Sequence, residues 1–226
     1  MSRGFAIAAS AALLAVATAT GALAAQLEGT KRGEIIGGTK KADVIKGKGG
    51  NDLIGGNAGN DTILGGAGHD KLYGLKGSDT VRGGPGHDQI NEGRVLGIFN
   101  RVAGQPGAAR GLGFDLPGND RLFGGPGTDS LYGSAGRDHL DGGPGKDYLS
   151  GGPGADTVLG GKGGDQIDGG RGRDVLRGGD GDDFIVAYDG EPDEISCGPG
   201  NDEAIIDAGL DVVAGDCEAA HPPMLR

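Results

Sequence analysis

The sequence predicts an all-β solenoid, a chain wound into stacked 18-residue coils with two thin parallel sheets and a core one side chain thick. Three observations predict it. Glycine takes 53 of 226 positions, roughly three times its usual share of about 7%. Aspartate recurs every nine residues, at Asp43, Asp52, Asp61, Asp70, Asp79 and Asp88, then at Asp120, Asp129, Asp138, Asp147, Asp156, Asp165, Asp174 and Asp183. An aliphatic residue stands two places after every one of these acids, from Ile45 to Ile185.

The repeating unit is G-G-x-G-x-D-x-(aliphatic)-x, as in Gly65 to Tyr73 and Gly151 to Leu159. We number its positions 1 to 9, with aspartate at position 6. The glycine-rich half supplies positive φ and is expected to form a tight turn. The remaining half is too short for a helix and carries one inward apolar residue, which makes it a minimal strand. Two turns and two strands close an 18-residue circuit. Ile36, Ile54, Leu72 and Ile90 then form one aliphatic ladder, and Ile45, Ile63 and Val81 form the facing one. Aromatics are only 4% and tryptophan is absent, in keeping with so thin a core. Glycine falls short of one third and lacks a three-residue period, which excludes collagen.

The same stacking places aspartate over aspartate at about the 4.8 Å spacing of neighbouring strands. Two carboxylates at that distance repel by about 0.9 kcal/mol in water and about 3.5 kcal/mol at an effective dielectric of 20. A divalent cation between turns would convert repulsion into coordination, with glycine-loop carbonyls completing an all-oxygen shell. Flexible oxygen ligands suit Ca²⁺ better than Mg²⁺, and the repeats offer no thiolate or imidazole set for zinc or copper. The net charge of −11 argues against nucleic acid and anionic membranes as partners and favours cations.

This unit resembles the hemolysin-type calcium-binding nonapeptide of RTX proteins, over Gly29 to Ile90 and Gly118 to Ile185. The resemblance implies a right-handed parallel β-roll with Ca²⁺ between its turns. It implies as ligands the fourteen aspartates named above, in pairs 18 residues apart: Asp43 with Asp61 through Asp70 with Asp88, and Asp120 with Asp138 through Asp165 with Asp183. The expectation is a chain that is loose without Ca²⁺ and folds on binding it. The first units depart from the pattern, with Glu34 for aspartate and Arg32 and Lys41 for the fourth glycine, so Gly29 to Ala42 reads as an N-terminal cap with weak or no metal. Lys48, Asn57 and Leu75 replace the second glycine.

Five segments follow. Residues 1–24 read as a secretory signal, with Arg3, an alanine-rich run and a small-x-small site at Ala22-Leu23-Ala24. Residues 25–90 form the first repeat block with its cap, and 118–185 the second. Between them, 91–117 is a loop leaving one turn, or a divider between two rolls. Val95, Ile98, Phe99 and Val102 have helical spacing there, near Arg94, Arg101 and Arg110, which suits a partner-binding excursion or a short helix over the roll's edge. Residues 186–226 form a C-terminal cap in which Cys197 and Cys217 are expected to pair, as two cysteines in a secreted chain do. Asp202 lies in a partial motif 19 residues after Asp183, out of phase with the repeat. The leader and the cysteines set this chain apart from most RTX proteins and liken it to Sec-exported bacterial proteins with a cysteine-clipped cap.

Catalysis finds no support. H-E-x-x-H is missing, and Gly133-Ser134-Ala135-Gly136 lacks the G-x-S-x-G spacing. His69 and His87 are 18 apart and should stack, as solvated turn residues or as a small transition-metal site. The reading is a secreted, extracellular calcium-binding repeat protein without enzymatic activity. Its alternatives are an adhesive or polysaccharide-binding module acting through 91–117, and an accessory to a polysaccharide-modifying enzyme.

Overall fold

The computed structural model describes residues 14–16, 25–91 and 118–223. Among these residues no helix forms, and 21 short strands run in parallel. Odd-numbered strands make an 11-stranded sheet and even-numbered strands a 10-stranded one, so each strand pairs with the next but one and the chain crosses between sheets at every turn. The expected 18-residue coil is therefore the folding unit: Ile45 pairs with Ile63 and Ile63 with Val81, while Ile36 pairs with Ile54 and Ile54 with Leu72.

The core is the double row of position-8 aliphatics. Ile36, Ile45, Ile54, Ile63 and Leu72 at one end and Leu140, Leu149, Val158 and Leu176 at the other are all fully buried. Because strand side chains alternate, one large aliphatic per strand reaches this interior. A small second cluster lies outside it, where Tyr73 and Leu75 pack with Ile35 and Leu53.

The glycine half is less of a turn than its composition suggests. In strands such as β12 (His139–Pro144) and β14 (Thr157–Lys162) the ladder continues through positions 1 to 3, with Gly143 opposite Gly161 and Pro144 opposite Lys162. Even the corner bonds forward to the next coil, with Gly68 N–H donating to Pro85 O at 3.0 Å. Such close stacking explains the fourth glycine: a Cβ on Gly86 would collide with the carbonyl oxygen of Gly68. Position 4 in most turns and, past the first coils, position 2 adopt positive φ, and Lys48, Asn57, Leu75 and Ser134 are held at position 2 with φ of 74° to 87° despite carrying side chains.

The two repeat blocks form one continuous roll. β8 (Thr80–Arg82) pairs with β10 (Arg121–Phe123), and β9 (Gln89–Asn91) with β11 (Ser130–Tyr132), so the chain leaves after Asn91 and re-enters in register. Readings placed on residues 92–117 lie outside the described residues. Replacing 92–117 by Gly-Gly-Pro restores the nine-residue interval from Asp88 to Asp120 and is expected to preserve the far-UV circular dichroism of the roll. Loss of that spectrum would show that the segment is needed to hold the two blocks in register.

Beyond Ile185 the coil also continues rather than giving way to a separate cap. β16 (Val175–Asp180) pairs with β18 (Glu194–Ser196), and β17 (Phe184–Ala187) with β19 (Glu203–Ile206). One step, Asp183 to Asp193, is ten residues long. That single extra residue, in the Tyr188-to-Pro192 turn where Gly190 has φ +93°, accounts for the 19-residue offset of Asp202, which is in phase after all. Cys197 and Cys217 form the expected disulfide, with Cα atoms 5.0 Å apart.

Candidate metal centre

Stacking lines the acids up in two columns. Each carboxylate accepts, through Oδ1, the main-chain N–H of the acid one coil earlier: Asp43 to Asp61 at 2.7 Å, Asp61 to Asp79 at 2.7 Å, Asp120 to Asp138 at 2.9 Å and Asp138 to Asp156 at 2.8 Å in one column. Glu34 to Asp52, Asp52 to Asp70, Asp129 to Asp147 and Asp165 to Asp183, each at 2.8 Å, belong to the other. The sequence pairs are thus adjacent, but the direct link between them is a peptide N–H donating to a carboxylate.

Four pairings escaped the nine-residue arithmetic. Asp79 bonds Asp120 and Asp88 bonds Asp129 across the interruption, both at 2.6 Å. Asp174 bonds Asp193 and Asp183 bonds Asp202, both at 2.8 Å. Asp193 was not anticipated, although Asp193-Glu194-Ile195 keeps the acid-x-aliphatic spacing that marks every other rung.

All fourteen expected ligands are buried, none more than 3% exposed. Their second oxygens carry the chemistry. Oδ2 of Asp52, Asp61, Asp70 and Asp88, and of every ladder aspartate from Asp129 to Asp202, is buried and accepts no hydrogen bond. From Asp52 to Asp183 each lies beside the position-1 glycine of its own turn. A Cβ on Gly133 would lie 2.6 Å from Asp138 Oδ2 and 2.7 Å from the Gly151 carbonyl oxygen, and one on Gly142 would meet Asp147 Oδ2 and Gly160 O at the same distances. So in these turns a carboxylate oxygen and a main-chain carbonyl oxygen of the next coil lie beside the same glycine, a pair of acceptors we call a cradle. The pattern repeats for Asp52, Asp61, Asp70, Asp88, Asp129, Asp156, Asp165 and Asp183.

Burial dominates the titration of these groups. It pushes Asp61, Asp120, Asp129, Asp156, Asp165 and Asp193 up from 3.8 to about 7. Asp52, Asp88, Asp138 and Asp174 rise to about 6 for the same reason. The peptide N–H on Oδ1 opposes the rise, and the carboxylate of a neighbouring coil adds to it at most of these positions. A half-satisfied buried carboxylate needs a proton or a cation.

The N-terminal end of the roll solves the problem without one. Glu34 receives the Thr30 N–H at 2.7 Å and the Thr30 hydroxyl at 2.8 Å, and Asp43 receives the Thr39 N–H at 2.5 Å and its hydroxyl at 3.0 Å. Threonine at position 2 thus supplies the donors that the later turns lack, both to Glu34 within the segment read as a cap with weak or no metal and to Asp43, which the resemblance placed among the ligands. Near the C-terminus Asp193 and Asp202 donate their N–H groups to Asp211 and Glu218 at 3.0 Å each. Beside Gly169 the atoms nearest after Asp174 Oδ2 are Leu176 methyl carbons rather than a carbonyl, and Cys197 fills position 1 of the Asp202 turn.

His69 and His87 do stack, with centroids 4.9 Å apart and planes at 13°. The His87 N–H donates to His69 Nδ1 at 2.9 Å and the Thr128 N–H to His87 Nδ1 at 2.8 Å. Asn51 Oδ1 and Asn119 Oδ1 do the same for His69 and Arg137. With Nδ1 accepting, the ring proton sits on Nε2 and no ring lone pair remains for a metal, so the geometry favours the turn-residue reading.

Among the described residues no three histidine, cysteine, aspartate or glutamate side chains converge on one point. A cation held between these coils must therefore draw on main-chain oxygens as well as carboxylates. A profile for the RTX calcium-binding nonapeptide repeat (4 copies) matches residues 28–63, 37–72, 55–90, 116–149, 123–158 and 159–191, together more than half of the chain. No curated protein matches it.

Proposed function

The chain belongs to the RTX calcium-binding nonapeptide repeat family, and on that premise we propose that it is a secreted, non-enzymatic protein whose roll folds on binding Ca²⁺. The observation that carries the reading is the row of buried Oδ2 atoms, each facing a carbonyl from the next coil and lacking a hydrogen-bond donor. Ca²⁺ accepts six to eight oxygens in flexible geometry. In each cradle the holding groups would be the Oδ2 of Asp52, Asp61, Asp70, Asp88, Asp129, Asp138, Asp147, Asp156, Asp165 or Asp183 and the carbonyl it faces. Bound Ca²⁺ supplies charge neutralisation where the protein has no donor to give.

Export is supported by the leader-like residues 1–24 and by the Cys197–Cys217 disulfide, since disulfides persist in oxidising compartments. Among the described residues no helix is long and apolar enough to cross a membrane.

Calorimetric titration of the chelator-stripped chain tests the reading. About ten Ca²⁺ per chain are expected, with little heat from Mg²⁺; fewer than about three would reject it. A single glycine sharpens the test. Gly142→Ala places a methyl where Asp147 Oδ2 and Gly160 O converge, at a residue whose neighbours 18 places away keep their own cradles. It is expected to remove one Ca²⁺ from the stoichiometry and to lower the melting midpoint by about 3–6 °C, from roughly 1.4 kcal/mol of lost binding plus the crowding.

A further inference from the structure

Ala25 holds a place in the ladder that no later residue shares. It stands 18 residues before Asp43, in the slot that an acid fills in every following coil of that column, and its main-chain N–H donates to Asp43 Oδ1 at 2.7 Å. Its carbonyl accepts the Val44 N–H at 2.9 Å, so the residue is fixed on both sides. Asp43 is 1% exposed and its other oxygen takes the Thr39 N–H. At every later rung the donor is an internal peptide N–H, which stays neutral. Only at the head of the column can the donor be a chain terminus.

The small-x-small pattern Ala22-Leu23-Ala24 ends one residue before this slot. We propose that cleavage between Ala24 and Ala25 creates the cap of the column, with the α-ammonium of Ala25 supplying to Asp43 the positive charge that a metal ion supplies to the later aspartates. The inference rests on the calcium reading above for the later rungs and on residues 1–24 being a removable leader. Hydrolysis breaks the bond between the Ala24 carbonyl carbon and the Ala25 nitrogen. The water oxygen ends in the Ala24 carboxylate, and the nitrogen, taking up protons, becomes –NH₃⁺, protonated at neutral pH given an ordinary α-amino pKa of about 7.7–8.0.

Register makes the coincidence informative. Cleavage one residue earlier or later would place the charge off the column, because only Ala25 shares the phase of Asp43, Asp61 and Asp79. The ammonium–carboxylate hydrogen bond has both partners charged, where the peptide N–H hydrogen bond it replaces has only a charged acceptor, and it lies where Thr39 has already filled the cradle. Cleavage also removes β1 (Leu14–Val16), which in the uncut chain pairs with β3 (Ile35–Gly37). That leaves a three-residue strand as the sheet's edge, short enough to resist pairing with another chain.

The test compares chains starting at Ala25 with a free or an acetylated α-amino group, each with Asp43 or with Asp43→Asn, melted at one fixed free Ca²⁺ concentration. Acetylation keeps the N–H and removes the charge. It should lower the midpoint by about 2–4 °C when Asp43 is present and by under about 1 °C in the Asp43→Asn chain. Should that variant fail to fold, a glycine added before Ala25 serves instead, because it keeps the N–H, displaces the charge, and should cost as much as acetylation. Equal midpoints for free and blocked chains would overturn the cap, as would the same drop with and without Asp43. Mass measurement of the exported chain should show a start at Ala25; any other start overturns the proposed cleavage. Calcium stoichiometry should be unchanged by the blocking group, so failure of the cap is distinguishable from failure of the calcium reading.

Discussion

Stripping calcium at neutral pH is expected to abolish the β circular dichroism of this chain, and returning it to restore the spectrum. The size of the effect follows from the second carboxylate oxygens. Moving an aspartate such as Asp61 or Asp156 from 3.8 to about 7 corresponds to roughly 4 kcal/mol against its ionised form. A whole domain is stable by only about 5–15 kcal/mol, so a few such groups left ionised and unmatched exhaust the margin. Ca²⁺ acts in the opposite direction at each cradle. At ten times the dissociation constant a site contributes about 1.4 kcal/mol, so ten independent sites contribute about 14. Circular dichroism during a chelator titration measures the outcome. A spectrum unchanged below micromolar free calcium would mean that the Oδ2 atoms find another partner, and the proposed mechanism would fall.

The repeat made most of this legible before any coordinates. A strict nine-residue interval leaves few ways to wind a chain, and the aliphatic two places after each acid names the core residue by residue, from Ile36 to Ile185. What escaped was whatever broke the count. The pairing of Asp88 with Asp129 was hidden because the chain departs and returns between them, and only strand register shows that the roll closes over the gap. Asp193 and Asp202 were hidden by one extra residue in a turn, which shifts the numbering without shifting the stack. The division of labour within each carboxylate was hidden for a different reason. Spacing predicts that two acids approach, but not that a peptide N–H claims Oδ1 and leaves Oδ2 for a cation. Likewise Thr30 and Thr39 look like ordinary failures of the second glycine. Their hydroxyls and N–H groups in fact supply at the N-terminal coils what the later turns lack.

Acid should do part of what calcium does. In the calcium-free chain, Asp61, Asp120, Asp129, Asp156, Asp165 and Asp193 have folded-state values of about 7 against 3.8 when unfolded. Between those limits the folded chain binds more protons than the unfolded one, so stability falls as pH rises. Their contribution is fully present below pH 4, declines through the window, and is gone once pH passes 7. A chain freed of calcium by dialysis should therefore gain β structure between pH 8 and pH 5, and lose it again when returned to pH 8. With calcium present the same titration should run the other way for binding, because each proton taken up competes with the cation for Oδ2 and apparent affinity falls as pH drops. The net charge of −11 offers a rival explanation, since acid also relieves long-range repulsion. Salt separates the two: about 0.5 M NaCl at pH 8 screens charges beyond roughly 4–5 Å of solvent but cannot reach a carboxylate buried between coils. Structure gained in salt alone would credit net charge; structure gained only on acidification credits the buried columns.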